Sequence, residues 1–153
     1  SSDVCSSDLL AGGCFWGVQK FFDQFDGVKE TQVGFANGNK DCVLYEEIKN
    51  TGHAETVKVV YDEEKLPTKL LLRYYFLSID PLSVNKQGED SGFQYRTGIY
   101  YENESDISDI SFAIEPDVII ATVLFAVKRL IKPTRKQIPA SQVFLFFIHF
   151  WVS

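Results

Sequence analysis

The chain has no methionine and, in 153 residues, only two histidines and three cysteines. Cys5, Cys14 and Cys42 are odd in number and form no C-x-x-C pair, which speaks against a secreted disulfide framework and against a zinc site. A reducing, cytoplasmic setting is expected. No apolar run reaches the roughly 20 residues that a membrane-spanning helix requires, and no basic-then-apolar leader is present. The missing methionine reads as a natural start that has been lost or replaced. The formal net charge is −6 and the first 117 residues hold no basic stripe, so no nucleic-acid partner is expected. What is present, 45% hydrophobic and 14% aromatic residues, is enough for one globular domain with a core.

The chain divides into three zones. Residues 1–8, a near-repeat of Ser-Ser-Asp, are polar and aperiodic and read as a disordered or artefactual segment. Residues 9–106 form a body whose elements carry their own signals. Leu9 to Ala11 suits a strand end. Phe15, Val18, Phe22 and Phe25 recur at helical spacing, with Gly27 as a stop. Val28 to Val33 is strand-like, and Glu55 to Tyr61 alternates with β-branched residues, placing Glu55 on the same side as Val57, Val59 and Tyr61. Pro67 opens a second helix that ends at Asp80-Pro81; a polar loop spans Ser83 to Gln94, and Arg96 to Tyr101 is a last strand. The order strand, helix, strand, strand, helix, strand predicts an α+β fold: a ferredoxin-like split β-α-β sandwich, its mixed or antiparallel sheet carrying helices on one face. Residues 107–153 differ in character. All 21 acidic residues lie at or before Asp117, while five Lys or Arg and two apolar runs follow it.

Cys14 lies in Gly12-Gly13-Cys14-Phe15-Trp16-Gly17, directly before the first helical stretch. A helix start favours a thiolate over a thiol, and paired glycines permit a tight turn into the helix, so this cysteine is a candidate nucleophile; a small buried turn residue is the alternative. Glu55, opening an apolar strand face, is a candidate proton donor because burial raises a carboxyl pKa. A solvated strand-end glutamate is the alternative there.

At Gly13-Cys14-Phe15-Trp16-Gly17 the chain resembles the peptide-methionine (S)-S-oxide reductases, the A type of methionine sulfoxide reductase. Further motifs follow in that family's order: Gly34-Phe35-Ala36-Asn37-Gly38, Tyr45-Glu46-Glu47, Thr51-Gly52-His53-Ala54-Glu55, Asp80-Pro81 and the run from Asn85 to Tyr101. The resemblance implies Cys14 as nucleophile and Glu55 as acid. It further implies Phe15 and Trp16 around the substrate methyl group, Tyr45 and Tyr95 on the sulfoxide oxygen, and Asp90 positioning the site. His53 reads as structural. No cofactor and no metal are implied. The substrate would be methionine (S)-sulfoxide, free or in oxidised proteins, and the reductant thioredoxin or another thiol. The expected assembly is a monomer. Cys42 is the nearby candidate for a resolving thiol, with an external thiol acting directly on Cys14 as the alternative.

The chain also departs from the family. It is about two residues short between Tyr45 and Glu55 when set against the common spacing. Phe35, Ile79 and Phe93 stand where Tyr, His and Thr are common. Nothing after Asp106 matches, and the tail reads as a wrong-frame translation or fused fragment. Two further readings therefore stand beside the enzyme: an impaired fragment with an exposed apolar surface, and another cysteine-based peroxide reductase.

Overall fold

The computed structural model describes residues 5–41, 43–101, 104, 106–113 and 131–133. The alternating, β-branched stretch becomes β3 (Ala54–Asp62), and its neighbour in sequence becomes β2 (Val28–Ala36); the two pair antiparallel from Val28–Tyr61 to Ala36–Ala54. β1 (Cys5–Gly12) pairs antiparallel with β3 on one side and with β6 (Thr97–Tyr101) on the other. β7 (Ile131–Pro133) runs parallel to β6, giving the order β2-β3-β1-β6-β7. The mixed α and antiparallel β class expected from the element order is therefore present.

Strand alternation decides which residues meet the helices. Leu10, Val57, Val59 and Ile99 point to the face where α1 (Phe15–Phe22) lays Phe15, Val18 and Phe22. On the same face α3 (Thr68–Ser78) lays Leu71, Leu72 and Tyr75. Fully burying each of these large apolar side chains contributes roughly 1.5–3 kcal/mol. A smaller cluster of Ala11, Ala54 and Tyr100 covers the reverse face.

Several boundaries differ from the sequence expectation. α1 ends at Phe22, with the Asp23 N–H donating to the Gln19 carbonyl at 2.9 Å, rather than running on to Gly27. Gly27 serves a turn instead: its φ is +101°, and a Cβ there would lie 2.9 Å from Leu66 Cβ. Phe25, outside the helix, still stacks on Tyr74 with ring centroids 4.3 Å apart. Residues 5–8, read as disordered or artefactual, are the first half of β1, because β3 offers a ladder as far as the Cys5–Asp62 pair. Asp8 accepts a hydrogen bond of 2.7 Å from the Tyr61 hydroxyl, and Ser6 donates to Glu63.

The polar loop from Ser83 to Gln94 holds a hairpin of β4 (Lys86–Gln87) and β5 (Asp90–Ser91), turned at Gly88 with φ +58°. A 3-10 turn, Tyr45–Glu47, leads into α2 (Ile48–Thr51). Past the expected end of the body at residue 106, α4 (Asp106–Ala113) packs on α3 and buries Ile110 in the main core. The remaining tail and Cys42 lie outside the described residues. Among the described residues no helix is long and apolar enough to cross a membrane.

Candidate active site

The site grows from the end of β1. Gly12 and Gly13 turn the chain, with Gly13 at φ +90°, and Cys14 follows as the N-cap of α1, half-buried, its carbonyl accepting from the N–H groups of Gly17 at 3.1 Å and Val18 at 3.3 Å. Glu55 reaches the same turn from β3. Its Oε2 accepts the Phe15 N–H at 3.0 Å in a buried setting, so the carboxyl occupies the first turn of the helix that Cys14 caps. Burial pushes the Glu55 pKa up and the nearby Asp90 charge adds to that, against the opposing pull of the Phe15 N–H. The sequence-based expectation of a raised carboxyl agrees with this.

Aromatic side chains line one flank. Phe15 is buried, and its ring centroid lies 5.9 Å from Trp16 and 5.6 Å from Phe35, which in turn lies 6.1 Å from Tyr45. Trp16 and Tyr45 are exposed at 60% and 52%, so the wall descends from a solvent-facing rim to a buried floor. Tyr95, from the 3-10 turn Phe93–Tyr95, shares a hydrogen bond with Tyr45. Its pKa is pushed up to about 12, mainly by desolvation and then by the Glu55 carboxyl. Asp90 is exposed on β5.

The fold thus gathers Cys14, Phe15, Trp16, Tyr45, Glu55, Asp90 and Tyr95 from five separate stretches. His53 stands apart. It is buried, its Nε2 donates to the Lys40 carbonyl at 3.1 Å and its Nδ1 faces the Thr51 hydroxyl at 2.7 Å, and burial lowers its pKa, so it is held as a neutral packing residue. Gly38 lies against this ring so closely that a Cβ would sit 2.1 Å from Nδ1.

Two contributors were not anticipated as site residues. Phe35 joins the aromatic wall, and its position in register with Glu55 on β2 is the signal that could have found it. Arg96 donates to the Phe93 carbonyl at 3.0 Å and the Asn37 carbonyl at 3.2 Å, with its guanidinium 4.1 Å from the Phe93 ring centroid. It ties the Tyr95 turn to the end of β2, and nothing in its local sequence announces this. Among the described residues no group of three or more His, Cys, Asp or Glu side chains is arranged to hold a metal ion.

Comparison with known proteins gives a consistent result. The family model described as peptide methionine sulfoxide reductase matches residues 6–122, extending the similarity beyond both ends of the stretch from residue 9 to 106. The peptide methionine sulfoxide reductase MsrA of Lachnoclostridium phytofermentans is 54% identical over 108 residues, covering 69% of this chain and 65% of that protein. Methionine sulfoxide reductase A of Corynebacterium diphtheriae superposes with a TM-score of 0.69 at 29% identity, over 84% of this chain and 57% of that one. Mxr1 from Saccharomyces cerevisiae in reduced form gives a TM-score of 0.69 at 26% identity, over 87% and 76% of the two chains. Mxr1 solved in complex with Trx2 shares the fold at 18% identity and a TM-score of 0.58, over 89% of this chain and 81% of that one. The chain therefore spans just under two thirds of the length of the curated relative it matches.

Proposed function

The chain belongs to the peptide methionine sulfoxide reductase family, and from that membership we propose that it reduces methionine (S)-sulfoxide, free or in oxidised proteins, to methionine. The observation that carries this reading is the buried Glu55 carboxyl, its pKa raised, bonded to the first turn of the helix capped by Cys14. Cys14 attacks the sulfoxide sulfur as a thiolate. Glu55 protonates the oxygen, which passes to the cysteine sulfur as the sulfide leaves, so the sulfoxide is reduced by two electrons and the thiol is oxidised to a sulfenic acid. Tyr45 and Tyr95 hold the oxygen, Phe15 and Trp16 receive the methyl group, and Asp90 positions the site, its charge adding to the rise in the Glu55 pKa that burial sets.

The sulfenic acid is returned to the thiol by two reducing equivalents from a dithiol, with release of water. The solved Mxr1–Trx2 complex supports a thioredoxin as that partner. Cys42 or a direct external thiol remains the route by which Cys14 is resolved. The reading includes a monomer in a reducing cytoplasm, where a free thiolate persists. It also includes the ferredoxin-like split β-α-β description of the sheet, supported by the order β2-β3-β1-β6 with every pair antiparallel.

The test is turnover of the two epimers of a methyl aryl sulfoxide by the full chain with dithiothreitol. Consumption of the S epimer alone, abolished by Cys14→Ser, is the expected result. Consumption of peroxide without sulfoxide would make it a thiol peroxidase, and neither activity would make it an impaired fragment.

A further inference from the structure

Gly13 is the residue before Cys14, and the space beside its bare Cα is already filled. A Cβ at Gly13 would lie 2.7 Å from Gln87 Cβ and 3.2 Å from Gln87 Cγ, so the aliphatic stem of Gln87 rests directly on the glycine. The amide end of the same side chain is held at both atoms: the Asp80 N–H donates to Gln87 Oε1 at 2.8 Å, and Gln87 Nε2 donates to the Asp80 carbonyl at 2.8 Å. Asp80 follows Ile79, whose Cγ2 would lie 2.8 Å from a Cβ on Gly12. The segment leaving α3 therefore grips both glycines of the nucleophile turn, Gly12 through Ile79 and Gly13 through Gln87. In the β4–β5 hairpin Gln87 pairs with Asp90, whose charge raises the Glu55 pKa.

We propose that Gln87 is a positioning residue that sets the Cys14 turn against the hairpin carrying Asp90. The inference rests on the reading of Cys14 as nucleophile. The stem fixes the height of Gly13, and the two-point amide clamp fixes the stem, because a glutamine bonded to one backbone N–H and one backbone C=O of the same residue has little rotamer freedom left. Small displacements of a nucleophile from its attack geometry lower turnover far more than binding.

Gln87→Met keeps the stem over Gly13 and removes the clamp, while Gln87→Ala removes both. In the full chain, kcat on the S-sulfoxide is expected to fall about 10-fold in the first and about 100-fold in the second, with KM within about twofold of the parent. Independently of turnover, iodoacetamide alkylation followed on the Cys14 peptide by mass spectrometry is expected to slow by about threefold or more in Gln87→Ala. Thermal midpoints record the folded fraction, and should Gln87→Ala fail to fold, Gln87→Met decides. A kcat and an alkylation rate unchanged in both variants would overturn the proposal, as would losses accounted for by unfolding alone. A parent without sulfoxide turnover would instead overturn the proposed function, and the alkylation rates would still judge Gln87.

Discussion

Glu55 is pulled in two directions: burial, with the Asp90 charge, favours the neutral acid and the Phe15 N–H favours the carboxylate, and the net effect is a raised pKa. Because the folded-state pKa lies above the ordinary carboxyl value, the proton-donating form survives to a higher pH than an exposed glutamate allows. Reduction by the parent should therefore decline as pH rises through this raised pKa. Glu55→Gln keeps a carbonyl oxygen for the Phe15 N–H but has no proton to give. Its rate should fall by about 100-fold or more and lose that limb of the pH profile, as steady-state rates across the profile will show. The linkage to stability has the same sign. A raised carboxyl contributes stability that is complete below the unfolded pKa and lost as pH climbs through the folded pKa. Urea midpoints of Glu55→Gln should therefore show a flatter pH dependence than the parent over that window; an identical slope would assign the carboxyl a solvated role.

Elements position these residues through one buried phenol in particular. The Tyr75 hydroxyl, from α3, donates to the Ala11 carbonyl at 2.7 Å and accepts the Gly98 N–H at 3.1 Å, binding helix and sheet together at the Ala11–Gly98 pair, just before the Gly12-Gly13 turn. Tyr75→Phe preserves the ring and strands two buried backbone groups, so it should cost about 1–3 kcal/mol, read as a lower denaturation midpoint with an unchanged m-value. α3, like α1 and β3, was legible in the sequence because eight or more residues repeat one period. The hairpin β4–β5 was not, since strands of two residues have no period to display, and neither was the 3-10 turn that carries Tyr45. The site was legible in its parts only. A cysteine before a helix and a carboxyl on an apolar strand face are local signals, but the bond that brings Glu55 to Phe15, next to the cysteine and 40 residues away in sequence, is a product of topology. Tyr45, Tyr95 and Asp90 were reached through motif resemblance alone, because a tyrosine or an aspartate in a loop has no intrinsic mark of chemistry.

On the scale of the whole molecule, α4 decides where the cooperative body ends. Motif content ends near residue 106 and the charge balance reverses after Asp117, yet α4 packs on α3 and Ile110 is only 1% exposed within the main core. These two observations measure different things. Composition reports which residues a segment carries, whereas burial reports whether the core needs them, and the apolar face of α3 must be covered by something. Removing that cover would leave an apolar surface open to aggregation. Ile110→Ala distinguishes a structural helix from an appended tail. If α4 belongs to the cooperative unit, the truncation leaves a cavity and lowers stability by about 2–5 kcal/mol in urea unfolding, with the loss shared by every spectroscopic probe. If the body is complete without it, the change stays within about 0.5 kcal/mol, as for a surface substitution, and the boundary returns to residue 106.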